Sequence, residues 1–360
     1  MNTAEKTHQD NSDNLSNRAN KYANSVKVTR WTAASKRAVI LAALLIIALA
    51  FAPLFASVGF IDRLTALFIY IILATMWNAL AGYGGLVSVG QQAFFGLGAY
   101  FTIRIAHLGL DPFVAVALSA VVVAAVSYPI SLIMLRLRGG EFAIGMWVIA
   151  ALIHLLVNLD GLIQGETGIS LISLNSYPSQ SRLTIIYLLA LFSMTGLLVM
   201  LFILLRSRQG SAIQAIRDSE EAASSLGVEP EKVKRLLFVL AAFGIGLAGA
   251  LWLASATSFQ PKTYFSVQWS AYMIFMVLVG GIGKFEGAIL GAILFFLVET
   301  WFSTAGVWYL VGLGAIAIAF SLFLPKGIWG ELERRFNWQF LPVGYHVEIK
   351  HSDPNKSNNK

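Results

Sequence analysis

Residues 206–235 read RSRQGSAIQAIRDSEEAASSLGVEPEKVKR, the one long charged stretch that lies between apolar runs in this sequence. Its charges are mixed: Arg206, Arg208, Arg217, Lys232, Lys234 and Arg235 stand with Asp218, Glu220, Glu221, Glu229 and Glu231. We expect two short helices here, the first begun by Ser211 and the second by Asp218, with Glu221 three residues later. Gly227 is predicted to end the second helix, and Pro230 to lie in the first turn of the next one.

The second of these predicted helices carries a small apolar face, made by Ala222, Ala223 and Leu226. With Glu221 before it and Gly227 after it, the Glu-Ala-Ala segment resembles the Glu-Ala-Ala loop of ABC-importer permeases. In that family the loop is a cytoplasmic coupling helix that docks into a groove of the ATPase subunit. The alternative is an amphipathic surface loop whose alanines and glycine serve only helix packing.

The rest of the sequence is dominated by apolar residues. Of its 360 residues, 57% are hydrophobic and 12% are charged, which is far from the composition of a soluble domain. There are no cysteines, which excludes disulfides, thiolate metal sites and a thiol nucleophile. The net charge of +7 would suit nucleic acid, but the basic residues lie in short loops and tails beside apolar runs. We therefore expect membrane lipid, and no nucleic acid, as a partner.

Ten apolar runs predict an all-α integral membrane protein with about ten transmembrane helices, since about 20 residues cross a hydrocarbon core of about 30 Å. The runs are residues 38–58, 64–82, 86–105, 113–135, 142–159, 183–205, 236–256, 270–283, 287–302 and 307–324. The third run begins inside a glycine-rich stretch, and the eighth and ninth are short and joined through glycines. We expect broken segments at these places.

Lysine and arginine predict the orientation and the domain organisation. Residues 1–37 form a polar tail that is predicted to be disordered, and its basic residues place it in the cytoplasm. Alternating from there, ten spans place residues 206–235 and both termini in the cytoplasm. The predicted domains are the tail at 1–37, a transmembrane permease domain at 38–325 that includes the 206–235 loop, and a second cytoplasmic tail at 326–360.

Two glycine-rich stretches predict where helices are broken or closely packed. Residues 82–100 read GYGGLVSVGQQAFFGLGAY, and residues 279–291 read VGGIGKFEGAILG. Backbone groups freed by a break are tolerated in a membrane only where protein or a water-lined cavity satisfies them. These stretches therefore predict either close packing of spans or a substrate path. The candidate path residues are Asn78, Gly84, Gly85, Ser88, Gln91, Gln92, Gly280, Gly281 and Gly283.

Four segments together resemble the LivM-type branched-chain amino acid permeases of ABC importers. Residues 83–100 resemble the family's G-Y-x-G-x-x-S-x-G-x-x-A-F-F-G-x-G-A-Y segment, and residues 138–144 its R-G-x-Y-F-A-I segment. Residues 215–227 resemble its A-I-R-x-x-x-x-A-A-x-x-x-G loop, and residues 279–291 its G-G-x-G-x-x-x-G-x-x-x-G segment. The resemblance extends over residues 64–325.

This resemblance implies a permease subunit in the bacterial inner membrane. Its expected partners are cytoplasmic ABC ATPase subunits, a second homologous permease subunit and a periplasmic substrate-binding protein. The residues implied to contact the ATPase are Ile216, Arg217, Glu221, Ala222, Ala223 and Gly227. The motifs are specific for the family but much less specific for the substrate. The substrate could therefore be an amino acid, an amide or urea.

The chain shows no enzyme motif of its own. Gly283 and Lys284 are followed by Phe285 rather than serine or threonine, and Leu278 stands where a Walker A glycine would be. ATP is therefore expected on partner subunits, with no cofactor in this chain. The sequence also suggests no catalytic carboxylate pair, metal-ligand cluster or Ser/His/Asp set.

The alternative function is a stand-alone secondary transporter or channel for a small polar solute. Ionisable residues within the apolar runs are few, namely Arg104, His154 and Glu299. Such sparse charge argues against proton coupling but leaves sodium coupling through carbonyl groups open. A membrane-embedded enzyme is the weakest of the three interpretations.

Overall fold

The computed structural model describes residues 26–29, 33–302, 306–336, 340–341 and 346–349. The helices are α1 Ala33–Ala50, α2 Val58–Asn78, α3 Gln92–His107, α4 Pro112–Met134, α5 Gly140–Asn158, α6 Ser179–Arg206, α7 Arg208–Asp218, α8 Glu220–Ser225, α9 Pro230–Ala256, α10 Pro261–Tyr264, α11 Val267–Gly280, α12 Phe285–Phe302, α13 Val307–Phe323 and α14 Gly327–Phe336. The strands are β1 Val26–Thr29, β2 Ile169–Ser170, β3 Ser258–Phe259 and β4 His346–Ile349.

Two compact units divide the chain, and the smaller one contains both tails, Met1–Leu41 and Gln339–Lys360. Within it, β1 and β4 pair antiparallel, so that Val26 lies opposite Ile349. Apart from β1 and the start of α1, the predicted disorder of residues 1–37 concerns residues outside the described part of the chain. The larger unit is Ala42–Trp338.

Nine helical segments among the described residues are long and apolar enough to cross a membrane, which confirms the predicted all-α multi-pass membrane protein. The third predicted run, residues 86–105, differs from the other nine. Its helix α3 has only 16 residues and begins at Gln92, and residues 84–91 before it are irregular. A 16-residue helix rises about 24 Å. For this run to cross the membrane as predicted, the irregular segment has to supply the remaining length.

The polar residues between the apolar runs set where two of the long helices begin. Asp111 caps α4 by accepting hydrogen bonds from the backbone N–H groups of Phe113, at 2.9 Å, and Val114, at 3.3 Å. Pro112 occupies the first turn of α4, where its missing N–H costs nothing. Pro230 has the same role in α9, as the sequence predicts.

Helix α9 lies at the centre of the larger unit and packs against α2, α3, α4 and α6. Glycines bring it into backbone contact with α3. A Cβ atom added at Gly98 of α3 would lie 2.8 Å from the Cα atom of Gly246, and one added at Gly249 would lie 2.7 Å from the carbonyl carbon of Phe95. Only glycine permits such an approach, so the backbones of α3 and α9 lie in direct contact next to the break.

The charged stretch 206–235 folds into α7 and α8, which confirms the two predicted helices but changes their first residues. Helix α7 begins at Arg208 rather than at Ser211. The cap of α8 is Ser219, whose hydroxyl accepts from Ala222 N at 3.3 Å, and Asp218 is instead the last residue of α7. Gly227 ends α8 as predicted, with a φ of 84°.

The predicted orientation can be tested with single cysteines, because the native sequence has none. Cysteine at Ile172, which is 69% exposed between α5 and α6, should react with an impermeant thiol reagent in intact cells. Cysteine at Ser225, exposed at the end of α8, should react only after the membrane is permeabilised. The opposite labelling pattern would contradict the orientation. Equivalent positions in the tails, Ser16 and Ser357, lie outside the described residues.

Candidate functional site

The loop of α7 and α8 is joined to the broken end of α2 by one arginine. Helix α2 ends in a π-helical turn, Ala79–Tyr83, after which the chain leaves helical geometry. The Gly82 carbonyl oxygen accepts a hydrogen bond from Arg217 Nη1 at 2.9 Å. A cation at the C-terminal end of a helix also interacts favourably with the helix dipole. Arg217 thus stabilises the end of α2 from a neighbouring loop.

The second glycine-rich stretch meets the first at the same place, through Asn78. The side chain of Asn78 accepts a hydrogen bond from Gly283 N at 2.8 Å and donates one to Lys284 O at 2.9 Å. It is 1% exposed, so one buried amide satisfies two backbone groups of the turn between α11 and α12. A Cβ atom added at Gly283 would lie 3.1 Å from both Arg217 Nη1 and Gly82 O. The two stretches and the charged loop therefore share one junction.

Helix α14 is the fourth element at this junction. Lys284 Nζ lies 2.5 Å from a carboxylate oxygen of Glu333 on α14. Gly327, at the start of α14, is so close to Gly281 that an added Cβ atom would lie 2.5 Å from Gly281 N. The turn between α11 and α12 is consequently enclosed by α2 on one side and α14 on the other.

The predicted ATPase-contacting residues of α7 and α8 do not share one face. Ile216 and Ala223 are 5% and 2% exposed, so both side chains pack inside this chain. Glu221 and Ala222 are exposed, and Leu226 is 84% exposed. The interpretation that Ala222, Ala223 and Leu226 form one apolar face is therefore wrong. The outward surface of α8 includes Glu221 and Ala222, and Leu226 continues it just after the helix ends.

A salt bridge holds the inner face of α8 on α9. Lys234 Nζ lies 2.8 Å from a carboxylate oxygen of Glu220, and the Lys234 side chain is only 15% exposed. Gly227 N and Val228 N donate to the carbonyl groups of Ser224, at 2.9 Å, and Ala223, at 3.1 Å. These bonds satisfy the last carbonyls of α8 and turn the chain sharply into α9. The outward surface is thus presented in a defined orientation.

The predicted path residues are mostly enclosed in this chain. Ser88 and Gln91 are 0% exposed and Gln92 is 2% exposed, at the break between α2 and α3. Gly84 faces α9, where an added Cβ atom would lie 2.6 Å from Leu237 Cδ2, whereas Gly85 is exposed. Gly280 and Gly281 are buried, with Gly283 partly exposed, at the turn between α11 and α12. The residues therefore form two groups, one at the break and one at the junction.

Most polar groups at the break are paired. Trp77 Nε1 donates to Ser88 O at 3.0 Å, and Gly90 N donates to the Ser88 hydroxyl at 3.3 Å. Gln92 N donates to the Ser270 hydroxyl of α11 at 3.4 Å, and that hydroxyl donates to the Gln92 side chain. These bonds replace the helical hydrogen bonds that the irregular backbone lacks, which is what a buried break requires.

The loop that follows α5 is held in place by Glu166, which joins the C-terminal end of α5 to α10. Its carboxylate accepts from Asn158 Nδ2 at 2.5 Å and Lys262 N at 2.8 Å, and lies 2.9 Å from His154 Nε2. Burial alone would raise the pKa of Glu166, but these hydrogen bonds and the nearby histidine outweigh burial and lower that pKa. The ionised carboxylate therefore stabilises this loop at neutral pH, and this stabilisation is lost as pH falls through the depressed pKa.

Two partner residues of the break and the junction were not predicted from the sequence. Ser270 at the break and Glu333 at the junction carry no local motif, because each acts through a partner far away along the chain. The exposure of Leu226 has a weak signal in the sequence, since a large apolar residue stands among polar ones beside the terminating glycine.

Comparison with known proteins matches this chain to one family over most of its length. The family model described as branched-chain amino acid transport system / permease component matches residues 59–324. The chain is 29% identical to the high-affinity branched-chain amino acid transport system permease protein LivM of Salmonella typhimurium, over 81% of this chain and 75% of that protein. It is 28% identical to LivM of Escherichia coli over the same shares, and 26% identical to BraD of Pseudomonas aeruginosa over 76% of this chain and 95% of that protein. No solved structure matches the chain significantly.

Proposed function

The chain belongs to the family of permease components of branched-chain amino acid transport systems, and we propose that it is a permease subunit of an ABC importer for branched-chain or related amino acids. It is a multi-pass protein of the bacterial inner membrane and a transport subunit rather than an enzyme. We place ATP on separate ATPase subunits, and we expect a second homologous permease and a periplasmic substrate-binding protein to complete the complex.

The junction is the observation that carries this proposal. A loop that served only as a surface connection would need no contact with the two glycine-rich stretches. Here Arg217 of α7 bonds Gly82 at the end of α2, while Asn78 of α2 bonds Gly283 and Lys284. A displacement of α7 and α8 by a docked ATPase therefore acts directly on both glycine-rich stretches. This is the arrangement that coupling of ATP hydrolysis to transport requires.

Reconstitution of the whole complex tests the proposal. Vesicles that contain this chain, its second permease and its ATPase subunits should take up leucine only with ATP and the binding protein present. Uptake by vesicles that contain this chain alone, driven by a sodium or proton gradient, would contradict the proposal and support a stand-alone transporter. Retention of the ATPase during purification of this chain gives an independent check.

The outward surface of α8 should bind the ATPase, with Leu226 as its apolar anchor. Burying an exposed leucine is worth about 1.5–3 kcal/mol. We therefore expect Leu226→Asp to weaken binding of the ATPase at least about tenfold. Glu221→Lys, on the same surface, should also weaken binding, and Ala222→Glu should do so by adding bulk. Binding is measured by titrating the ATPase onto the purified permease pair.

Gln209→Ala is the matched control for this surface, because Gln209 is exposed at the start of α7, away from α8. It should bind the ATPase as the wild type does. The docking assignment is refuted if Leu226→Asp and Glu221→Lys both retain wild-type affinity while present in the membrane at normal amounts.

A further inference from the structure

The carboxamide of Gln91 differs from the other buried polar side chains described around the break between α2 and α3. Gln91 is 0% exposed, yet neither its Oε1 nor its Nε2 atom has a hydrogen-bond partner among the described residues. Its neighbours are satisfied: Ser88 by Gly90 and Trp77, and Gln92 by Ser270. A buried amide without partners is destabilising, so a residue of this kind usually has a role outside the resting structure.

The location of Gln91 suggests what this role is. Gln91 directly precedes α3, so its side chain stands at the N-terminal end of a 16-residue helix inside the membrane domain. The N-terminus of a helix carries a partial positive charge that favours a carboxylate. Broken helices of other membrane transporters place such N-termini beside anionic groups of their substrates. The position therefore favours an anionic group next to Gln91.

The chemistry of the side chain is consistent with a zwitterion. A carboxamide has two N–H donors and one carbonyl acceptor. It can donate to the carboxylate of an amino acid and accept from its ammonium group without carrying charge itself. A charged residue here would hold the oppositely charged group of the substrate more strongly, whereas passage requires a contact that is readily broken.

We propose that Gln91 is a substrate-contacting residue, whose carboxamide binds the carboxylate and ammonium groups of the amino acid during transit. This inference rests on the proposed function and adds a residue and a part of the substrate to it. It assigns recognition to the backbone of the amino acid, which all α-amino acids share. The contribution of Gln91 to uptake should consequently be the same for amino acids that differ only in their side chains.

The test compares the same substitution at two adjacent residues in the reconstituted complex. Gln91→Met removes an unpaired amide and should leave the midpoint of thermal unfolding unchanged or raised, while leucine uptake falls at least about tenfold, as expected for loss of hydrogen bonds to charged groups. Gln92→Met removes a paired amide, leaves Ser270 without its acceptor and should lower the unfolding midpoint. Valine and isoleucine uptake by Gln91→Met should fall by the same factor as leucine uptake.

Two outcomes would overturn the inference. Wild-type uptake by Gln91→Met would mean that the amide does not contact the substrate. A fall in uptake accompanied by an equal loss of folded complex would mean that Gln91 is only structural. Failure of the proposed function itself is distinguishable, because the unmodified complex would then show no uptake that depends on ATP and the binding protein.

Discussion

Gly281→Leu is expected to abolish uptake while the protein still inserts into the membrane. Gly281 has φ 131° and ψ 108°, a backbone conformation that is essentially restricted to glycine and costs about 1–3 kcal/mol for other residues. An added Cβ atom would also lie 2.9 Å from the carbonyl oxygen of Lys326, before any further leucine atom is placed. The turn between α11 and α12 would have to separate from α14, which disrupts the junction.

Two glycine-to-leucine controls separate backbone strain from lost space in this experiment. Gly109 has a φ of 90° and nothing within 4 Å of an added Cβ atom, so Gly109→Leu adds strain alone. Gly196 lies in the middle of α6, also with nothing within 4 Å, so Gly196→Leu adds neither strain nor collision. We expect near-normal uptake from both. Normal uptake by Gly281→Leu at wild-type protein levels would show that the junction has no part in transport.

Arg217→Gln is expected to uncouple ATP hydrolysis from transport. The substitution leaves the Gly82 carbonyl without its cationic donor, and hydrogen bonds to charged groups contribute about 1.5–3 kcal/mol. Because the Arg217 side chain is 41% exposed, we expect a value near the lower end of that range. Uptake should fall about tenfold. The ATPase should still bind, since Leu226 and Glu221 are untouched.

The ratio of leucine molecules taken up to ATP hydrolysed is the quantity that tests this uncoupling. Arg217→Lys should restore part of the ratio, because lysine keeps the charge but replaces the planar guanidinium by a single ammonium group. Arg208→Gln, an exposed position on the same helix, is the matched control and should leave the ratio unchanged. An unchanged ratio in Arg217→Gln would show that the coupling loop acts on the membrane domain through other contacts.

The spans were predictable from the sequence because hydrophobic length is a local property. A break in the third run was predicted, but Gln92, the residue at which its helix begins, was not, and the reason is also physical. Residues 86–91 include Leu86, Val87 and Val89, which are as apolar in an irregular segment as they would be in a helix. A hydropathy profile predicts which residues belong to the membrane domain. It does not predict whether their backbone is helical.

The contacts of the junction were beyond sequence reasoning. Arg217 and Gly82 are 135 residues apart, and Asn78 and Gly283 are 205 apart, so no local pattern relates them. The glycine motifs nonetheless indicated which stretches matter. At the start of α8, Asp218 and Ser219 are both residues that are favoured as N-caps, and in the structure the N-cap is Ser219. The sequence could likewise not tell which alanine of Glu-Ala-Ala faces inward.

The glycine contacts between α3 and α9 restrict how the membrane domain can move. Gly98 lies on the backbone of Gly246, and Gly249 lies on the backbone of Phe95, so neither helix can slide along the other without a collision. The pair is expected to travel as one rigid body. Because the salt bridge between Glu220 and Lys234 ties α8 to α9, a displacement of α8 is expected to reach α3 through α9. Gln91 directly precedes α3, so the same displacement is expected to reach Gln91.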